Sequence, residues 1–409
     1  MQTKIHATLI DDPAVQTADG ILRSCVHCGF CTAVCPTYQL LGDELDGPRG
    51  RIYLIKELLE HNEIASSAVT HIDRCLTCRA CETACPSGVA YGQLLDIGRG
   101  MIAQLVRRRW RERIIAWSLL LVVPRPKLFG MFLRMGQMLR PLLPEAFKKT
   151  IPVKTAPRRY PMSHARNPVR RVLVLEGCVQ RSATPDVNQA LAYLLDLHQI
   201  EVTRLVAEGC CGALEYHLGA HKAGKARMRS LLDSLSTRLE EVDAVVSSAS
   251  GCGVTIKDYP KVFENEPEYQ QLARSVVAKT ADAAELLSQL DFACRGKKVA
   301  FHSPCTLQHG QRLNGIVEGI LARAGFEVVP VRDSHLCCGS AGTYSMMQPT
   351  LATTLKRQKI ESLTRDEPAV IATANVGCQL YLGADASIPV VHWLELMADN
   401  IRLGENPPQ

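Results

Sequence analysis

"CVHCGFCTAVCP", residues 25–36, and "CLTCRACETACP", residues 75–86, decide the reading of this chain. Each run has the form C-x2-C-x2-C-x3-C-P. Two-residue gaps let three successive sulfurs turn toward one small object, while the fourth, after a longer gap and before a proline, is carried elsewhere. Between the runs, Pro48 opens a helical pattern with Ile52, Ile55, Leu58 and Leu59 on one face, proline being well placed in a first turn. Alternating β-branched residues are scarce, so residues 1–100 read as a mainly helical domain.

Three thiolates from one short loop, completed by a fourth from a distant loop, suit a cubane iron–sulfur cluster. In doubled runs of this spacing the fourth cysteine serves the other cluster. The expectation is two [4Fe–4S] clusters, one on Cys25, Cys28, Cys31 and Cys85, the other on Cys75, Cys78, Cys81 and Cys35. Zinc also takes C-x2-C pairs, but each zinc site uses two pairs and would leave thiolates here unexplained. Two neighbouring clusters make a conduit for single electrons.

The 409 residues suffice for two or three domains. The start, "MQTKIHATLIDDPAV", has no apolar stretch of signal-peptide length and carries Asp11 and Asp12, so a cytoplasmic location is expected. Seventeen cysteines, an odd number, then favour metal or redox chemistry over a disulfide framework. Net charge is +6, yet residues 99–171 alone hold eighteen Lys or Arg against Glu112 and Glu145. Such a segment implies an anionic partner or a solvated connector. Its most apolar run, "IIAWSLLLVV" at 114–123, is ten residues long, whereas a membrane span needs about twenty. Basic flanks suit an interfacial helix, a partner-docking helix or a buried helix of the domain; peripheral association with the inner face of the cytoplasmic membrane is the expectation. Nucleic acid is not expected as a partner, because no aromatic-interleaved platform accompanies the charge.

After residues 101–168, a basic helical connector that turns into a proline-rich linker, the texture changes. "RVLVLEGC", "EVTRLVAEGCCG" and "VDAVVSSASGCG" are answered by "KVAFHSPC", "FEVVPVRDSHLCCG" and "AVIATANVGC". Cys178, Cys210 and Cys211 recur as Cys305, Cys337 and Cys338, each 127 positions on, and Cys252 recurs as Cys378 after 126. Strand–helix–strand order predicts two pseudo-symmetric parallel α/β lobes, 169–290 and 291–409, making the chain α/β overall. The cysteines fall beyond the carboxyl ends of the predicted strands, where open parallel sheets bind ligands. Within a lobe, three loops can gather Cys178, Cys210, Cys211 and Cys252, or Cys305, Cys337, Cys338 and Cys378, around a metal. His217, His302 and His335 stand beside these motifs and are read as histidines hydrogen-bonded in loops. Cys294 fits neither pattern and is read as a plain thiol. No G-x-G-x-x-G and no P-loop is present, so no flavin or nicotinamide site is expected on this chain.

The C…CCG…C duplication resembles the cysteine-rich domain of heterodisulfide reductase subunits. Joined to a helical two-cluster ferredoxin domain, the chain is similar to the iron–sulfur subunits of glycolate oxidase (glycolate dehydrogenase) over about residues 20–395. "CVHCGFCTAVCPTYQLLGDELDGPRGRIYLIK", "DRCLTC", "LEGC", "GCCGALEYHL", "SGCG", "PCTLQH" and "DSHLCCGSAGTY" carry that resemblance. It implies an electron-transfer subunit with no catalytic residue of its own. FAD would sit on partner subunits that oxidise glycolate to glyoxylate, and a quinone-type acceptor would take the electrons. Subunits of anaerobic glycerol-3-phosphate dehydrogenase or lactate utilisation, and a thiol–disulfide enzyme of the heterodisulfide reductase type, are the alternative readings. In the heterodisulfide reductase pattern each repeat ends in C-x-x-C. Here Gly253, Val254 and Thr255 follow Cys252, and Gln379, Leu380 and Tyr381 follow Cys378. With that thiol missing, a four-thiolate cluster, a zinc and an empty reduced site remain open for each lobe.

Overall fold

The first hundred residues are helical because each segment has its own start signal and one apolar stripe. Asp12 accepts the Ala14 N–H at 2.8 Å and Pro13 occupies the first turn, opening a helix over Pro13–Ser24. Pro48–His61 and Tyr91–Leu105 form two further helices. Their stripes, with Ile55, Leu58 and Leu59 facing Leu94, Leu95 and Ile102, close on Val15, Ala18 and Leu22. Gly50 lets the second helix lie on the Glu44–Asp46 turn: any Cβ there would fall 2.2 Å from the Glu44 carbonyl oxygen.

The computed structural model describes residues 1–402 except 145–147, 150, 154–155, 163–167 and 206–207. Part of the proline-rich passage read as a linker, and the last seven residues of the second lobe, therefore lie outside the described residues. Two compact units result. Unit 1 joins Met1–Leu119 with Ala213–Lys225 and His335–Arg357; unit 2 comprises Leu120–Gly212, Ala226–Ser334 and Gln358–Gln409.

Unit 2 contains two parallel sheets with the same strand order. In the first, β1 (Arg170–Leu175), β2 (Ile200–Thr203), β3 (Ala244–Ser247) and β4 (Thr280–Asp282) run in the order β2-β1-β3-β4. In the second, β5 (Lys298–His302), β6 (Glu327–Val329), β7 (Val370–Thr373) and β8 (Val390–His392) run β6-β5-β7-β8. Registers such as Val172↔Ala244 and Val299↔Val370 place the β-branched runs side by side. The sequence words supplied three strands per lobe. The fourth of each sheet is a three-residue strand that runs straight into a helix and, unlike the others, leads to no cysteine word, which is why pattern alone passed over it. The two lobes share one apolar core, in which helix Asp186–Asp196 of the first packs on Trp393–Ala398 of the second and the Trp393 side chain is fully buried.

His392 fixes that helix. Its Nδ1 accepts the Leu394 N–H and its Nε2 lies 3.1 Å from the Ser248 carbonyl oxygen, an arrangement only the neutral Nε2–H tautomer satisfies. Burial lowers its pKa from 6.5 to about 3. Above pH 6.5 both folded and unfolded chains hold a neutral ring. Between 6.5 and 3 the unfolded chain takes a proton the folded chain refuses, so stability falls as pH falls, by about 1.4 kcal/mol per pH unit. His392→Asn, which retains a capping side chain, is expected to flatten denaturation midpoints measured from pH 7 to 4 by one proton's worth. An unaltered slope would mean that His392 does not couple protonation to folding.

Candidate iron–sulfur and thiol centres

The two early runs fold alike. His27 and Gly29 in the first, and Thr77 and Arg79 in the second, have φ of 56°, 84°, 55° and 61°. Alternating left-handed residues curl each loop, which enters a one-turn helix, Phe30–Ala33 or Ala80–Thr83. Three of these four positions are not glycine, and holding them there costs about 1 kcal/mol or more each. That strain is concentrated where the sulfurs must converge. Pro36 then starts helix Pro36–Leu41 directly after Cys35.

Cys25, Cys28, Cys31 and Cys85 line one cavity, which Cys81 also borders. Burial, then the charge of Cys25, pushes the Cys31 thiol up to about 11, with Cys85 and Cys28 adding to the effect. Cys81 is raised well above the usual thiol range by burial, then by Cys78, Cys75, Glu82 and Cys35. Cys85 thus lies among the sulfurs of the first run, and Cys35 among those of the second. Left alone, such thiols would stay protonated; a cluster's positive iron is what lets four of them ionise together, so the donor sets fit [4Fe–4S] clusters. Cys28 is exposed, with Val26 and Phe30 exposed beside it, whereas Cys35, Cys75 and Cys81 are buried.

The second group has closer protein contacts. Cys75 Sγ lies 3.4 Å from the Thr77 N–H donor nitrogen and 3.6 Å from the Tyr91 hydroxyl. Arg99 holds the same loop by the carbonyls of Cys75 and Ile72, at 2.8 and 3.4 Å, and also reaches the His217 carbonyl at 3.4 Å. The Tyr344 hydroxyl donates to the Arg74 carbonyl at 3.1 Å. Burial first, and then Cys75, moves its pKa upward, with Cys337 contributing, so this ring stands near both sulfurs. Buried Cys337 and Cys338 belong to the same unit as the early runs, and Cys337 Sγ accepts the Gly339 N–H at 3.4 Å.

In the first lobe the strand order explains the gathering of thiols. Connections leave β1 toward β2 on one side and β3 toward β4 on the other, opening a crevice between β1 and β3. Cys178 follows β1, Cys252 sits in the first turn of helix Ser250–Lys257 after β3, and Cys210-Cys211 follow β2. Cys210 and Cys178 Sγ atoms are 3.4 Å apart. The Cys178 thiol is raised well above its usual range by its hydrogen bond with Cys210, then by burial. Cys211 is also raised: its bond with Cys210 works downward but is outweighed by Cys252 and burial. All four thiols therefore meet. Glu208 ties the loops together by accepting the Glu176 and Gly177 N–H groups at 2.6 and 2.8 Å, and Tyr259 donates to the Cys211 carbonyl at 2.8 Å.

In the second lobe Cys305 is half-buried at the start of the π-helical turn Thr306–Gly310 that follows β5, and Cys378 is buried in helix Val376–Gly383 after β7. Cys294 lies in the shared core with its Sγ 3.7 Å from the Met397 carbonyl oxygen. His335 lies in a turn as expected, whereas the other two histidines are held in regular elements. His217 ends helix Ala213–His217 and pairs with buried Asp96 at 2.9 Å, and His302 closes β5 with Nδ1 3.0 Å from the Thr373 hydroxyl.

Pattern reading passed over Asp46, Arg51, Thr37 and Tyr344. Arg51 carried a signal, since it lies four and seven positions before the buried Ile55 and Leu58, on the apolar stripe. Tyr344 closes the quoted stretch "DSHLCCGSAGTY", but its place against the early runs depends on a segment more than 200 residues away.

These features define a two-cluster iron–sulfur protein with a duplicated thiol-rich α/β domain. Residues 21–89 match the family described as 4Fe-4S dicluster domain, and residues 172–257 and 299–383 each match the Cysteine-rich domain. The chain belongs to the family of glycolate oxidase iron–sulfur subunits: it is 49% identical over 404 residues to the "Glycolate oxidase iron-sulfur subunit" of Escherichia coli (strain K12), covering 97% of this chain and 98% of that one. A "Probable glycolate oxidase iron-sulfur subunit" of Bacillus subtilis (strain 168) is 29% identical over 93% of this chain and 94% of its own. "Lactate utilization protein A" of an Exiguobacterium species is 26% identical over 56% of this chain and 98% of its own. A solved structure of a hypothetical protein from Helicobacter pylori shares the fold at TM-score 0.52 and 8% identity, covering 88% of this chain and 68% of that one. The chain is an electron-transfer iron–sulfur subunit of an oxidoreductase, a relay rather than the seat of substrate chemistry.

In protein stripped of metal under reducing conditions, with the fold checked by circular dichroism, exposed Cys28 should be alkylated first. Buried Cys210 and Cys211 should lag by more than about tenfold, because their thiolate fraction is suppressed. Peptide mass spectrometry after timed iodoacetamide treatment reads this directly, and equal rates at the three positions would contradict the crowded, buried arrangement.

Proposed function

We propose that this chain relays electrons within a glycolate dehydrogenase complex bound peripherally to the cytoplasmic membrane, passing them from a partner flavoprotein toward a quinone-type acceptor. The partner carries FAD and oxidises glycolate to glyoxylate. The observation that carries the reading is the pair of adjacent four-thiol groups, one open to solvent at Cys28 and the other more deeply buried, with Cys35, Cys75 and Cys81 buried and Cys78 half-buried. Bound [4Fe–4S] clusters supply one-electron chemistry there. Cys25, Cys28, Cys31 and Cys85 hold the outer cluster; Cys75, Cys78, Cys81 and Cys35 hold the inner one. Exposed Val26 and Phe30 give the flavoprotein an apolar rim beside Cys28. The four thiols of the first lobe, Cys178, Cys210, Cys211 and Cys252, suit a further four-thiolate cluster or a zinc. Cys305, Cys337, Cys338 and Cys378 are the corresponding set in the second. In this reading the chain divides, as its sequence does, into a ferredoxin domain, a connector and two lobes with boundaries at residues 100, 168 and 290.

Membrane attachment is assigned to the basic connector. Among the described residues no single helix is long and apolar enough to cross a membrane. Helix Trp110–Val122 buries none of its residues and exposes Trp110, Ile114 and Trp117, while helix Pro126–Leu139 exposes Met131, Met135 and Met138. Arg107, Arg109, Arg111 and Arg113 add the positive charge that anionic headgroups attract. Arg108 is not among them, since it pairs with Asp73 at 2.9 Å.

Cys35→Ser is expected to perturb the EPR signal of the cluster on Cys75, Cys78 and Cys81 and to spare the signal sensitive to Cys28→Ser. Loss confined to the Cys25–Cys31 cluster would overturn the exchanged ligation. In the assembled complex, Cys28→Ala or Cys78→Ala should abolish quinone reduction while glycolate still reduces the flavin, because hydride chemistry belongs to the flavin and single-electron passage to this chain. Stopped-flow flavin absorbance measured beside quinone turnover tests this. Quinone reduction that persists without either cluster would remove the chain from the electron path.

A further inference from the structure

A buried cation stands beside the more deeply buried cluster site and, among the described residues, has no equally buried counterpart at the open one. Arg51 is 1% exposed. Its Nε donates to the His71 carbonyl at 2.7 Å and its Nη2 to the Thr37 hydroxyl at 3.1 Å. That hydroxyl gives its own proton to the Asp46 carbonyl at 2.7 Å and lies 3.3 Å from Cys35 Sγ. Asp46 is fully buried and is shared: its carboxylate is 3.6 Å from Arg51, 2.8 Å from Arg74 and 3.1 Å from His71. One carboxylate between two guanidinium groups leaves an excess of positive charge. Burying such an excess is costly unless further negative charge lies close by. The sulfurs of Cys75 and Cys35 and the Tyr91 ring stand with Asp46 around the Arg51 guanidinium, so the cation lies beside thiols that would hold the inner cluster. At the open site the corresponding cation is Arg49, which is paired with Glu44 at 2.6 Å and is half-buried, within reach of screening solvent.

Reduction adds one negative charge to a cluster. Burial alone would penalise that charge at the more deeply buried site. A buried cation, together with the Thr77 N–H and Tyr91 O–H donors on Cys75, favours it instead. We propose that Arg51 and Asp46 together set the reduction potential of the cluster on Cys75, Cys78, Cys81 and Cys35 above that of its neighbour, giving the relay its direction from the open site inward. Arg51 pulls the potential up and Asp46 restrains it. In the transfer one electron leaves the outer cluster, which is oxidised, and reduces the inner one; no bond is made or broken. The flavoprotein of the proposed function is the donor. The inference rests on that reading and on its exchanged ligation.

Potentiometric titration of the anaerobically purified full chain, followed by EPR, tests it with two opposed variants. Arg51→Gln should lower the inner cluster's potential and Asp46→Asn should raise it. Each should change the sharing of an electron between the clusters by about tenfold, equivalent to 59 mV for a one-electron couple. The outer signal, identified through Cys28→Ser, should stay in place. A merely structural role would move both variants in the same direction. Shifts of like sign, no shift in either, or a shift confined to the outer cluster would overturn the proposal. If Arg51→Gln fails to retain iron, Arg51→Lys, which keeps the charge, should hold the wild-type potential while Asp46→Asn still raises it; an Asp46→Asn potential that does not rise decides against the proposal. Failure of the underlying reading looks different: iron and sulfide below two clusters per chain, or Cys35→Ser damage at the outer cluster.

Discussion

Four sulfurs cannot ionise together in a buried space without positive charge among them, and the architecture follows from that constraint. The upward shifts of Cys31 and Cys81 come first from burial and then from neighbouring sulfur. A helix or strand long enough to be stable carries its side chains too far apart to gather four of them. The gathering is therefore left to short left-handed loops, at about 1 kcal/mol or more for each strained residue. Three helices of ordinary amphipathic character hold those loops in place.

The thiol-rich lobes meet the same constraint by other means. A parallel sheet in which consecutive connections leave on opposite sides opens a crevice at its carboxyl edge, and the loops beyond β1, β2 and β3 put Cys178, Cys210, Cys211 and Cys252 there. Glu208 and Tyr259 pin those loops through backbone groups, so the sulfurs are positioned without being used as anchors. The common core behind the sheets makes the two lobes one folding body, in which His392 of the second caps its helix while touching the Ser248 carbonyl of the first.

Asp46 and Arg51 belong to both accounts. Through His71, Thr37 and Arg74 they connect three segments of the helical domain, and the same groups lie against Cys35 and Cys75. A buried, incompletely neutralised cation is poor stabilisation by itself. Its position beside the sulfurs of Cys35 and Cys75 gives it, in the proposed relay, a purpose that stability does not.

The sequence by itself determined the ligand inventory, the helical character of the first domain and the duplication. Thiol spacing is local, amphipathic period is local, and a shift of 127 positions can be counted without knowing the fold. The parallel strands β1–β3 and β5–β7 were legible from β-branched runs that lead into cysteine words, whereas β4 and β8 were not, because each is three residues long, runs straight into a helix and leads to no cysteine. The exchange of Cys85 and Cys35 was legible too, from the longer gap and the proline that follows it; only the tertiary structure decided how deeply each set of sulfurs is buried. It also decided that Ala213–Lys225 and His335–Arg357, distant in sequence, join the unit of the early cysteines, bringing Tyr344 to Arg74 and His217 to Asp96. Electrostatic environment depends on distance in space, which sequence separation does not record, so the charge on Arg51 acquired its meaning only when the chain had folded around it.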